Sequence, residues 1–137
     1  MSERTVRLAS AALAVLGAAI SAYLLWARET GSSIVCSTGG CETVQNSSYA
    51  EVIGIPVAAL GLAGFLGLLV ASVGRGEWAR LAQATLALSA FLFAAYLLAI
   101  QVFVIGALCQ WCLATDVLTT AIVTLALVRL RPMRAPG

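Results

Sequence analysis

From Leu81 to Leu130 the chain runs through fifty residues in which Asp116 and Arg129 are the only charged side chains. As one helix this stretch would be about 75 Å long, far more than the roughly 30 Å of hydrocarbon in a bilayer. It has to turn back once, and Gly106 is the expected turning point, since a glycine between two long apolar runs is the weakest helical position there. Leu8 to Trp26 and Ile55 to Val73 each add a run of about the 20 residues a crossing helix needs. The spans are therefore read as 8–26, 55–73, 81–104 and 107–128. Composition agrees: of 137 residues 61% are hydrophobic and 10% charged, a balance that a water-soluble core of this size cannot use. The expected fold is an all-α integral membrane bundle of four transmembrane helices, forming one domain over 1–137.

Arginine placement orients the bundle. Arg4 and Arg7 precede the first span, Arg75 and Arg80 join the second to the third, and Arg129, Arg131 and Arg134 follow or close the fourth, while Arg28 falls on the opposite side. The positive-inside rule then puts both termini in the cytoplasm and the 27–54 loop outside, in a cytoplasmic (inner) membrane. A signal peptide is the competing reading of the N-terminus, but the first run continues through Tyr23-Leu24-Leu25-Trp26, longer than the usual h-region of about 7 to 15 residues. All eight basic residues are arginine and the net charge is +2, with no polybasic tract to suggest a nucleic-acid partner.

Histidine is absent, which leaves four cysteines as the conspicuous reactive groups. Cys36 and Cys41 lie in the outer loop as C-S-T-G-G-C, near enough to close a small ring, and an extracytoplasmic setting lets disulfides persist. Residues 42–54 behind them are read as a short helix lying over the membrane. Cys109 and Cys112 form C-Q-W-C at the outer end of the fourth span, so both pairs approach one face of the membrane. A CxxC at a helix N-terminus favours a reactive thiolate, through unpaired backbone N–H groups and the helix dipole. Two purely structural disulfides are the bland alternative. A short ring at the end of a strong helix stabilises little, however, whereas exchange between two nearby pairs gives the placement a purpose. Four-thiolate zinc spacing is a second alternative, but such cages sit in folded soluble knuckles, and no metal site is expected.

Taken together, the segment G-C-E-T-V-Q-N-S-S-Y-A-E-V-I-G-I-P-V from Gly40 to Val57, followed at a distance by C-Q-W-C, resembles the vitamin K epoxide reductase family in its bacterial disulfide-forming branch. The likeness extends over nearly the whole chain. It implies a four-helix bundle around a quinone, be it menaquinone, ubiquinone or a vitamin K-type naphthoquinone. Cys109 and Cys112 would form the redox centre beside it, Cys112 being the inner thiol, with Cys36 and Cys41 shuttling electrons inward and Ser47 on the loop helix capping the site. It also implies oxidation of a thioredoxin-fold, DsbA-like partner and thus disulfide formation in exported proteins. Family members are often fused to such a domain; here the chain ends soon after the fourth span, so a separate partner is expected. Where members that act on vitamin K carry a tyrosine four residues after the CxxC, Asp116 stands here, and the second span offers no asparagine, so epoxide reduction itself is not expected.

Asp116 follows Cys112 by four residues and Cys109 by seven, on one helical face and about 6 Å deeper than Cys112. A carboxylate at that depth is costly and marks a functional group facing the bundle interior, here a proton donor or relay. The alternative is a polar plug bonded through Thr115, Thr119 or Gln101. Tyr49 and Trp111 are candidate quinone contacts, although aromatics at this depth more often anchor helices. Ser47 and Ser48 equally suit capping of the loop segment. Gly61, Ala63, Gly64 and Gly67 are read as helix-packing contacts. The contrasting function is a small accessory membrane protein whose cysteines only staple the loop to the bundle.

Overall fold

The computed structural model describes residues 2–30, 51–52, 54–106 and 109–134. Helix α1 spans Glu3–Thr30, a two-residue hairpin pairs β1 (Glu51–Val52) with β2 (Ile55–Pro56), and α2 spans Val57–Val73. Helix α3 spans Glu77–Ile100 and runs on through a π-helical turn at Gln101–Ile105, and α4 spans Gln110–Arg134. Among the described residues three helical stretches, Glu3–Thr30, Glu77–Ile105 and Gln110–Leu130, are long and apolar enough to cross a bilayer. Helix α2 is equally apolar but has 17 residues, about 25 Å of rise. Large aliphatic and aromatic side chains cover the outside: Val70, Leu92, Phe103 and Val117 are each more than half exposed. The chain is a multi-pass membrane helical bundle.

The helices outrun the expected spans wherever good helix formers flank the apolar run. Glu3 to Arg7 begin α1, and Glu77 to Arg80 begin α3. Helix α4 instead begins at Gln110 where the apolar run predicts a start at 107, leaving Cys109 just outside it, and helix α2 starts two residues late. Pro56 (φ −58°, ψ 137°) cannot donate a backbone hydrogen bond, and the residue before a proline is pushed toward extended geometry. Ile55 and Pro56 accordingly pair with Val52 and Glu51, the chain turning at Gly54 with φ 78°. This corrects the expectation of a loop helix over 42–54 for its last residues: Glu51 and Val52 are strand. The remainder of that segment lies outside the described residues.

Side chains from all four described helices interlock at the bundle's middle. The core there comprises Ala14 and Ala18 of α1, Phe65 and Leu68 of α2, Ala87 of α3, and Ile122, Val123 and Ala126 of α4. The α1–α2 approach depends on Gly17, because a Cβ at that position would overlap the ring of Phe65. The glycines of α2 divide in role. A Cβ on Gly61 would meet Ser21 Oγ at 3.0 Å, and one on Gly67 would meet Leu86 at 3.5 Å, both packing contacts. One on Gly64 would meet nothing within 4 Å, and Ala63 is exposed, so these two are not the packing positions expected of them.

One end of the bundle is held by arginines. Arg80 places Nε and Nη2 on the two Glu3 oxygens at 3.2 and 2.6 Å. Arg129, 2% exposed, donates to Gln83 Oε1 at 2.6 Å, to Ala71 O at 3.0 Å and to Gly74 O, while Arg7 donates to Val73 O at 2.8 Å. Helix ends leave their last carbonyls without intrahelical partners, and here guanidinium groups from α1 and α4 supply them for α2. The start of α1, the end of α2, the start of α3 and the end of α4 therefore share one end, with neighbouring helices antiparallel.

Candidate active site

The opposite end carries the C-Q-W-C motif. Gly106 turns the chain with φ 74°, a left-handed conformation that glycine adopts without steric cost, and its N–H bonds Gln101 O at 2.9 Å. Cys109 then occupies the N-cap of α4: its carbonyl accepts the Leu113 N–H at 3.0 Å, and its Sγ lies 3.4 Å from the Cys112 N–H. The sulfur stands where an N-cap side-chain oxygen normally does, taking an orphan donor of the first turn. Such a position favours negative charge on sulfur. The Cys109 N–H is itself donated to Gln101 Oε1 at 2.9 Å.

Below the motif, a cavity of about 330 Å³ lies among the four helices. Helix α4 contributes Cys112, Thr115, Asp116 and Thr119 to it, an i, i+3, i+4, i+7 set that occupies one helical face. Leu24 of α1, Phe65 and Leu68 of α2, and Leu97 of α3 supply apolar wall, while Ser21 and Gln101 are polar points on it. Between α2 and α3 the wall residues Leu60, Leu86 and Phe93 are exposed, so the cavity opens sideways there.

Asp116 lines the cavity one helical turn beyond Cys112, as its spacing predicts. Thr115 donates its hydroxyl to Cys112 O at 2.8 Å, and Thr119 donates to Thr115 O at 2.7 Å. Gln101 Oε1 is taken by the Cys109 amide. None of the three bonds the Asp116 carboxylate, whose buried Oδ2 has no hydrogen-bond partner among the described residues. That oxygen keeps unspent hydrogen-bonding capacity on the cavity wall.

Trp111 goes elsewhere. It packs edge-on against Tyr23 of α1 with ring centroids 5.4 Å apart, and it is not part of the cavity wall. At the second position of α4 it points toward α1 while Cys112, the next residue, turns inward. Cys36, Cys41, Ser47 and Tyr49 lie outside the described residues. Gln101 and Ser21 are the site residues that sequence reasoning did not single out as such. Gln101 had a signal, as an amide close to the turn inside an apolar run; Ser21 had none beyond lying in the first span.

An antiparallel bundle of apolar helices, with a helix-capping cysteine motif at one end of an internal cavity, defines a membrane-embedded thiol protein. The sequence model of the vitamin K epoxide reductase family matches residues 8–127, and the chain belongs to that family. Its members are oxidoreductases, and quinone-linked disulfide chemistry is general among them. The residues present fit a quinone. The cavity is within the range of small-molecule sites, about 300–1,000 Å³, and mainly apolar with few polar groups. Its orphaned carboxylate oxygen suits a ligand that must exchange protons. Ser21, Phe65, Gln101 and Asp116 are the residues that would hold such a ring.

Proposed function

We propose that this protein is a quinone-dependent thiol–disulfide oxidoreductase that reoxidises a separate thioredoxin-fold partner outside the cytoplasm, and so drives disulfide formation in exported proteins. The observation that carries the reading is the single α4 face on which Cys112 and the unpartnered Asp116 border the same cavity, with Cys109 capping the helix directly above. The clustering of Arg7, Arg80 and Arg129 at the other end supports an orientation with the cysteine end outside.

In this scheme a thiolate of the reduced partner attacks the Cys36–Cys41 disulfide, and the mixed disulfide resolves as the partner's second thiol displaces the loop cysteine. Two electrons and two protons then reside on the loop pair. A loop thiolate next attacks Cys109 Sγ, breaking the Cys109–Cys112 bond and leaving Cys112 as a thiolate facing the cavity; the second loop thiol releases Cys109 and restores the loop disulfide. A bound quinone supplies the two-electron, two-proton acceptor. Asp116 holds a proton at Oδ2 one helical turn below Cys112, ready for transfer into the cavity. Apolar walls keep water from the reacting thiolate.

The test is quinone absorbance in purified protein supplied with a reduced thioredoxin-like donor. Wild type reduces quinone, and Cys36→Ser, Cys41→Ser, Cys109→Ser and Cys112→Ser each abolish it, with dithiothreitol restoring turnover only to the two loop variants. Failure of the wild type with several quinones supports the disulfide-staple role instead.

A further inference from the structure

Besides its place on the cavity wall, Gln101 stands at a junction of two backbone amides. As the first residue of the π-helical turn, it accepts the Gly106 N–H on its main-chain carbonyl and the Cys109 N–H on its side-chain Oε1, each at 2.9 Å. One residue thus fastens the reverse turn at Gly106 and the cysteine that follows it. The residue is 3% exposed, and the bond to Cys109 is buried. The assignment of the oxygen follows from chemistry, since a backbone N–H requires an acceptor.

This fastening bears on sulfur. With the Cys109 amide fixed, Cys109 Sγ is held within 3.4 Å of the Cys112 N–H. A thiolate accepts such a bond far better than a disulfide sulfur does, so the arrangement stabilises the reduced pair relative to the oxidised one. A pair whose reduced form is stabilised is the stronger oxidant.

We propose that Gln101 is a positioning residue that sets the redox equilibrium of the Cys109–Cys112 pair by anchoring the Cys109 amide. The proposal rests on the reading of that pair as redox-active. Without the acceptor, the Cys109 N–H turns to another partner, the cap loosens, and the disulfide gains relative to the dithiol.

The full-length protein in detergent is equilibrated with glutathione and glutathione disulfide. Two glutathione thiols reduce the Cys109–Cys112 bond, two electrons and two protons pass to the pair, and one glutathione disulfide forms. Thiol alkylation and peptide mass spectrometry then read this pair separately from Cys36 and Cys41. In Gln101→Leu the equilibrium constant shifts about tenfold toward the protein disulfide, equivalent to a potential about 30 mV lower. Gln101→Met, of the same length but without an amide oxygen, shifts likewise and carries the test should the leucine variant not fold. Ser72→Ala removes a buried hydroxyl that donates to Leu68 O at 2.6 Å, far from the cysteine motif in the chain, and coincides with wild type. Coincidence of Gln101→Met with wild type overturns the proposal, as does an equal shift in Ser72→Ala, which makes the effect one of loosened packing. A wild-type pair that does not titrate overturns the redox reading, and the proposal falls with it.

Discussion

Asp116 is half-buried, and its inner oxygen, Oδ2, has no hydrogen-bond partner among the described residues, so two roles can be separated by experiment. Replacing a satisfied polar plug costs stability, because its partners are left unpaired. Replacing an unpartnered carboxylate costs function instead. Asp116→Asn is expected to lower quinone-linked turnover about a hundredfold, within the range for loss of a positioned proton donor, while disulfide exchange between the partner and the cysteines continues. Stopped-flow thiol exchange beside steady-state quinone reduction separates the two, and unchanged quinone reduction removes Asp116 from proton transfer. Gly17 makes the opposite kind of prediction. Its missing Cβ is the space occupied by the Phe65 ring, which is also cavity wall. Gly17→Ala is expected to destabilise the bundle by about 1–3 kcal/mol through overpacking, and Phe65→Leu in the same chain to recover much of it. Thermal unfolding of the two single variants and the double variant measures that coupling.

At the scale of elements, the arginine end works as a cap supplied from outside the helix it caps. Arg129 brings its guanidinium to two carbonyls at the end of α2, to Gln83 of α3 and, 3.6 Å away, to Glu3 of α1, so from α4 it joins all four described helices through one planar group. Arg129→Met should lower stability by about 1.5–3 kcal/mol, the range for losing hydrogen bonds made by a charged group. Arg129→Lys should restore little, since an ammonium cannot span several acceptors as a fork does. A lysine variant with the wild-type unfolding midpoint would refute this account of α2 capping.

Much of this element plan can be read from sequence, because its signals are local. The apolar runs, the turn at Gly106 and the shared face of Cys112 and Asp116 need only spacing and elementary helix geometry; the cap at Cys109 does not follow from them, since the apolar run puts that residue inside a span beginning at 107. What escapes is what depends on a change of phase or on a distant neighbour. The π-helical turn alters the direction of side chains just before Gly106, so the Gln101–Cys109 bond cannot be obtained by counting 3.6 residues per turn. Phe65 finds Gly17 only once α1 and α2 have packed, and Trp111 finds Tyr23 only across α1 and α4. The strand at 51–52 is hidden by the polar, loop-like composition around it, although Pro56 and Gly54 announce the turn.

Across the whole molecule, the packed layer of Ala14, Ala18, Phe65, Leu68, Ala87, Ile122, Val123 and Ala126 separates the cysteine end from the arginine end. Along α4 the stretch between Thr119 and Arg129 amounts to about 15 Å of rise. Within it the inward residues Ile122, Val123 and Ala126 have at most 7% exposure and offer a proton no side-chain group to hop to. In electrical terms the layer is an insulator. On the proposed function, each dithiol oxidised gives up two electrons and two protons at the cysteine end, and the acceptor in the cavity takes up two of each from that same side. Turnover then moves no net charge through the membrane, and the roughly 2.3 kcal/mol per charge that a 100 mV potential would otherwise impose does not enter the rate. In oriented proteoliposomes, quinone reduction should proceed at one speed with or without a potassium diffusion potential and leave the pH of the compartment facing the arginine end unchanged. The membrane potential would then be invisible to this enzyme, leaving disulfide formation able to continue in a de-energised cell for as long as oxidised quinone is supplied.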